Sequence, residues 1–197
     1  MMKPRVLLTL LAVPALLACS LLTAVQPTPV PEIASIFGDD PNLTVTTYEV
    51  RGSTAADLRH QMDIHGPVDP DGYRGDALTT WYINWNWPGY GTPLCSLDEA
   101  YTSYTITVSF PHWSPPSDAP AGLAEKWDAF TLALARHERQ HVDNLLAKYP
   151  AVLPAIQAAT CLTAEDAARA IVDEIRAEDL AIDERTNHGL NDGARFP

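Results

Sequence analysis

Between Pro120 and Pro150 the chain carries one long stretch, Ala124 to Lys148, that contains neither proline nor glycine and is rich in alanine and leucine. Its apolar residues fall on two faces. Phe130, Ala133, Leu134 and Leu145 share a broad side with His137 and His141, while Leu132, Ala135, Val142 and Leu146 mark another. Such a pattern predicts a long helix packed between layers. Along a helix buried on two sides an idle imidazole is costly, so His137 and His141 are expected to be liganded or hydrogen-bonded.

The two histidines belong to the sequence His137-Glu138-Arg139-Gln140-His141. In a helix, residues four apart lie one above the other, so both imidazoles reach a common ion, and Glu138 is offset where it takes a proton from water instead of acting as a ligand. This His-Glu-x-x-His spacing is that of a helical Zn²⁺ site with its own general base. A surface helix that carries these residues on its wet side is the plain alternative.

A catalytic zinc site needs a third protein ligand and leaves a position for water. One common extension puts a third His ten residues after the first, but here Ala147 holds that place and Asn144 the place of the associated glycine. Glu174 and Glu178 are spaced to serve from a following helix; Asp143 lies on the wrong side of its own helix. The preferred third ligand is His188, in a Thr-Asn-His-Gly turn where Gly189 lets the backbone approach closely. Asp183 then serves as a carboxylate behind a ligand histidine, fixing its tautomer.

The N-terminus reads as a targeting element. Lys3 and Arg5 precede an apolar run from Val6 to Leu17, so residues 1–18 are expected to be a signal peptide. Leu16-Leu17-Ala18-Cys19 looks like a bacterial lipobox with Cys19 as the lipidation site, the one expected route of membrane anchoring; ordinary cleavage nearby and an uncleaved anchor are the alternatives. These features predict an exported protein, periplasmic or held at the membrane as a lipoprotein. The remaining two of the three cysteines, Cys95 and Cys161, then sit in an oxidising compartment that favours a bridge closing a loop of about 67 residues; two separately buried thiols are the other possibility. With 25 acidic against 13 basic residues and a formal charge of −12, the chain is a poor general partner for nucleic acid or an anionic membrane face.

Residues 19–42 are rich in proline and turn residues and are expected to form an extended tether ahead of one zinc peptidase-like domain at 43–197. From Leu43 the chain becomes β-branched and aromatic. Leu43 to Val50 and Ala77 to Trp87 read as strands, and Tyr101 to Phe110 alternates most clearly. Ser53 or Thr54 caps a short helix, Ala55 to Asp63, and Thr163 with Asp166 resembles a capping box for a late helix. The expected class is α+β: a small, mostly antiparallel sheet within residues 43–110 packed against a C-terminal helical layer that carries the zincin-like His-Glu-x-x-His helix. Pro111 is expected to end the last strand.

These pieces occur in an order that resembles a bacterial family of predicted secreted zinc-dependent proteases. The resemblance runs from about Tyr48 to Gly193 and rests on Tyr48-x-Val50-x-Gly52-x-Thr54 with Leu58-Arg59, Gly66-Pro67, Thr80-Trp81, Cys95, Pro111-x-Trp113, His137-Glu138-x-x-His141, Cys161, and Asp183-x-x-Thr186-x-His188-Gly189. Phe110 stands where the pattern has leucine. The resemblance implies a zinc peptidase-like domain with His137 and His141 as ligands, Glu138 as base and His188 as third ligand.

The expected function is therefore a zinc metallopeptidase of the cell envelope acting on a peptide or protein substrate, with Tyr82, Tyr90 and His112 as candidate oxyanion donors. Its small size suggests a limited substrate range or dependence on an envelope protein partner. Trp81, Trp85, Trp87 and Trp113 either line a substrate groove or, as strand tryptophans more often do, fill the core. The alternatives are a non-catalytic zinc-binding envelope protein and a zinc amidase acting on cell-wall peptides.

Overall fold

In the computed structural model, which describes residues 31–70, 72–120 and 122–197, the alternation after Ala100 becomes the central strand of the sheet. This strand, β3 (Tyr101–Trp113), lies between β1 (Leu43–Val50) and β2 (Leu78–Asn86). It pairs parallel to β1 and antiparallel to β2. The sheet is thus mixed, with one pair of each kind where a mostly antiparallel arrangement was expected. The reason is that β1 is followed by a helix, α2 (Ala55–His65), and β2 before the chain returns to pair with it.

Strand β3 runs on through Pro111, which was expected to end it. The pairing with β2 stops at Ser109, so Pro111 faces only Tyr48 of β1 and removes no hydrogen bond from the β2 side. Ile106, Val108 and Phe110 are buried, as their period-two spacing requires. Opposite them, Val45 and Thr79 flank Val108, and Trp81 faces Ile106. This inner face of the sheet is covered by the C-terminal helices.

The covering layer is built on α3 (Leu123–Lys148), the long helix read from the sequence. One aspect buries Trp127 and Phe130 in an aromatic cluster with Trp113 and Phe196. Another meets α5 (Ala164–Thr186), which follows the short α4 (Val152–Gln157). Thr163 does not supply the expected capping box: its hydroxyl is engaged within the preceding turn by Thr160. At α2 the box is complete, with Thr54 and Asp57 each satisfying the other's backbone N–H.

Two further points bear on the domain reading. Within the expected tether, residues 31–37 form helix α1 (Pro31–Phe37), whose Ile33 and Phe37 are buried in the main core. The expected signal peptide, Cys19 and the rest of the tether up to residue 30 lie outside the described residues. Cys95 and Cys161 are disulfide-bonded and pin the β2–β3 connection to the turn before α5, beside a second small core of Trp87, Val152, Ile156, Ala164 and Ala168. Among the described residues, no helix is long and apolar enough to cross a membrane.

Candidate metal centre

Helices α3 and α5 run antiparallel, and the contacts between them read like a ladder. Asn144 meets Ile175 and Asp179, His141 meets Asp179 and Asp183, and His137 meets Asp183 and Thr186. Each turn back along α3 is matched by a turn forward along α5, because residues four apart stack on both helices. Asp183 therefore arrives between the two histidines: its Oδ1 lies 3.3 Å from Nε2 of His137 and 3.3 Å from Nε2 of His141. The two rings are perpendicular, with centroids 5.1 Å apart. One donor atom from each of His137, His141 and Asp183 lies within 4.8 Å of the others.

This cluster is capable of holding a metal ion. Two imidazoles and a carboxylate are zinc-type donors, and separations of 3.3 Å are the edges of a tetrahedron whose corners lie about 2.0–2.1 Å from its centre. Behind the ligand atoms, Nδ1 of His141 is 3.1 Å from Asp179 Oδ1. Nδ1 of His137 is 3.4 Å from the Thr186 hydroxyl and 3.5 Å from Asp192. Both rings thus turn Nε2 toward Asp183.

Electrostatics couple the three groups. Burial works to raise the Asp183 carboxyl, but the hydrogen bonds from His137 and His141 outweigh it and hold this group well below the usual carboxylate range. Burial works to lower His141, and the bonds to Asp179 and Asp183 overcome it, pushing the imidazole up to about 10 in the metal-free chain. Glu138 is buried beside them and is pushed up by desolvation, which the nearby histidines and a hydrogen bond from Thr79 only partly offset. The Thr79 hydroxyl of β2 donates to Glu138 Oε2 at 2.7 Å.

All of these groups face one open cavity of about 590 Å³. Its far wall is the loop after α2, including Tyr73, Arg74 and Asp76, where Arg59 pairs with Asp76 and Asp63. His188 stands on the rim. Its ring stacks on Tyr73 with centroids 5.3 Å apart, and its Nδ1 is 3.8 Å from Asp183 Oδ1, outside the set of three. Asn187, His188 and Gly189 are all left-handed, with φ of 51°, 53° and 80°. A Cβ on Gly189 would come to 3.0 Å from the His137 ring, so glycine is what lets this turn close over that ring.

The expected site residues divide accordingly. His137, Glu138, His141, Asp183 and His188 line the cavity together. Asp183, expected as a support behind a histidine, stands with His137 and His141 in the group that could hold a metal, because α5 continues to Thr186 and keeps this residue in helical register with Asp179. Glu174 and Glu178 do not line the cavity, and neither do Tyr82, Tyr90 and His112. Tyr82 alternates to the outer face of β2 and is 70% exposed. Tyr90 is hydrogen-bonded to Glu165, and His112 contacts Ser114 at the end of β3. Asp179, Asn144, Thr79 and Tyr73 were not singled out; for Asp179 the signal was its spacing of four from Asp183, which repeats that of the two histidines.

Residues 45–189 match the model of a family described as bacterial protein of unknown function (DUF922). No curated protein and no solved structure matches the chain. The match spans well over half of the sequence and the whole of the His137–His141–Asp183 cluster, and the chain belongs to this family.

Proposed function

We propose that this member of the DUF922 family is an exported zinc metallopeptidase that hydrolyses peptide bonds in the cavity between α3 and the loop after α2. The observation that carries the reading is the meeting of three zinc-type donors with a buried carboxylate, Glu138, at the floor of an open cavity. A site serving structure alone is ordinarily closed by a fourth protein ligand, whereas a catalytic one keeps a position for water.

His137, His141 and Asp183 would hold the ion. A bound Zn²⁺ supplies Lewis-acid polarisation of the substrate carbonyl and brings the pKa of bound water toward about 7. Glu138 takes the proton of the attacking water and returns it to the leaving amine. The Thr79 hydroxyl occupies Oε2, which leaves Oε1 to receive that proton. Burial raises the Glu138 carboxyl, so it takes up a proton more readily than an exposed carboxylate, as its part as base requires. We assign the Tyr73–His188 ring pair on the rim to the developing oxyanion, in place of Tyr82, Tyr90 and His112. The export reading rests on the N-terminal sequence and the Cys95–Cys161 bridge.

The test is hydrolysis of unstructured protein and of cell-wall peptides by zinc-loaded protein, with Glu138→Gln beside it. Cleavage of protein substrates that vanishes in Glu138→Gln supports the reading; cleavage confined to cell-wall peptides makes it an amidase. Zinc binding without Glu138-dependent cleavage of either overturns it in favour of a non-catalytic zinc protein.

A further inference from the structure

The hydrogen bonds behind His141 have a direction that can be worked out from the chemistry of their ends. Lys148 Nζ, which only donates, lies 2.5 Å from Asn144 Oδ1, and the carbonyl of Ile175, which only accepts, lies 2.9 Å from Asn144 Nδ2. These two contacts fix which way the Asn144 amide points. Its Nδ2 therefore donates to Asp179 Oδ1, at 2.8 Å. From the opposite side, the indole N–H of Trp81, also a donor alone, reaches Asp179 Oδ2 at 2.9 Å. Both oxygens of Asp179 are thus held as acceptors by groups on α3 and β2.

It follows that the contact of 3.1 Å between Asp179 Oδ1 and His141 Nδ1 is made with hydrogen on Nδ1. With hydrogen kept on Nδ1, the proton that His141 gives up on binding a metal is the one on Nε2, the atom that faces Asp183 at 3.3 Å. We propose that Asp179 is a positioning residue which, held by Asn144 and by Trp81 of β2, fixes His141 as an Nε2 metal ligand and ties the metal centre to the strand that forms the cavity floor. The proposal rests on the reading above that His137, His141 and Asp183 hold the ion. Trp81 thereby acquires a task beyond filling the sheet–helix interface: it joins β2, whose Leu78 and Thr79 line the cavity, to His141 through one carboxylate.

The experiment is zinc titration of the metal-free protein by competition with a chelating dye, with Asp179→Ala, Trp81→Phe, His141→Ala and the double variant Asp179→Ala/His141→Ala. Asp179→Ala is expected to weaken zinc binding about 10–100-fold, as loss of a partner behind a ligand histidine does; Trp81→Phe is expected to weaken it less. A residue that acts through His141 adds no further loss once His141 is gone, whereas one that merely supports the fold adds its full effect in that background. A second readout uses the intact chain. On zinc binding, the nitrogen spectrum of His141 is expected to show hydrogen on Nδ1 and metal on Nε2, and the indole N–H of Trp81 to shift. The indole of Trp85, bonded to Glu165 outside the cavity, serves as the control that stays in place. Should Asp179→Ala fail to fold, Trp81→Phe and these spectra decide. Zinc affinity of Asp179→Ala within about twofold of the parent, an undiminished loss in the His141→Ala background, or coordination through Nδ1 overturns the proposal. If the parent chain binds no zinc, it is the functional reading itself that fails.

Discussion

Asp183 Oδ1 sits 3.3 Å from Nε2 of His137 and equally far from Nε2 of His141, so a single carboxylate oxygen from α5 closes the gap between two imidazoles of α3. Asp183→Ala is expected to weaken zinc binding beyond the roughly 10–100-fold typical of an outer partner, because a ligand itself is lost. His188→Ala, by contrast, is expected to keep zinc affinity near that of the parent while lowering turnover, since His188 is stacked on Tyr73 at the rim. Zinc titration and initial rates on the two variants check this. The reverse pattern would make His188 the ligand.

Glu138→Gln preserves the shape of a buried side chain and its contact with Thr79 but removes the proton acceptor. Zinc affinity is expected to persist, and turnover to fall by about 10²–10⁴, the range contributed by a positioned general base. Equilibrium zinc titration beside steady-state kinetics separates the two effects.

In the metal-free protein the His141 imidazole is raised from 6.5 to about 10 by its bonds to Asp179 and Asp183. A group raised on folding adds stability that is fully present below its unfolded value and is lost as pH rises through the folded one. The metal-free chain is therefore expected to lose stability progressively between about pH 6.5 and pH 10, and His141→Ala to show less of this slope. Thermal melting across that range, in the presence of a chelator, provides the comparison.

Gly189 has a φ of +80°, and a Cβ there would meet His137 Cγ at 3.0 Å and Ala194 Cβ at 3.2 Å. Gly189→Ala is expected to cost more than about 1 kcal/mol, since it adds backbone strain to a clash with a ligand ring. Denaturant unfolding reads the stability, and a simultaneous drop in zinc affinity is expected because the displaced ring is His137.

Reduction of Cys95–Cys161, or replacement of both by serine, is expected to cost about 2–5 kcal/mol of stability. Zinc affinity at temperatures where the variant stays folded is expected to change little, because the bridge borders the Trp87 core and does not line the metal cavity. Urea unfolding with and without reductant, followed by zinc titration, checks both halves.

How far the site was legible depended on whether its signal was local. His137, Glu138 and His141 are written in a spacing that needs only helical geometry, and the helix itself announced its length by lacking proline and glycine. The alternation of Ile106, Val108 and Phe110 likewise fixed a face of β3. Asp183 is read as a support because His188, in the Thr-Asn-His-Gly turn after it, is given the third-ligand place. In fact α5 continues to Thr186 and the left-handed residues begin at Asn187. A helix that runs this far stacks Asp179 and Asp183 on one face. Asn144 belongs to no motif, and Thr80-Trp81 enters the resemblance without a role; the contacts of both with Asp179 arise from packing between α3, α5 and β2, which no local spacing encodes. Helix α1 was masked by surrounding prolines, although Ile33 and Phe37, one turn apart, had the spacing of a buried edge.

The central claim is tested most directly by a crystal structure of the zinc-loaded chain with anomalous scattering measured at the zinc edge. The account predicts one ion, bound by Nε2 of His137, Nε2 of His141 and a carboxylate oxygen of Asp183 at about 2.0–2.2 Å, with its remaining position open to the cavity beside Glu138. A site closed by a fourth protein ligand, or an ion found elsewhere with these three residues unliganded, would contradict it.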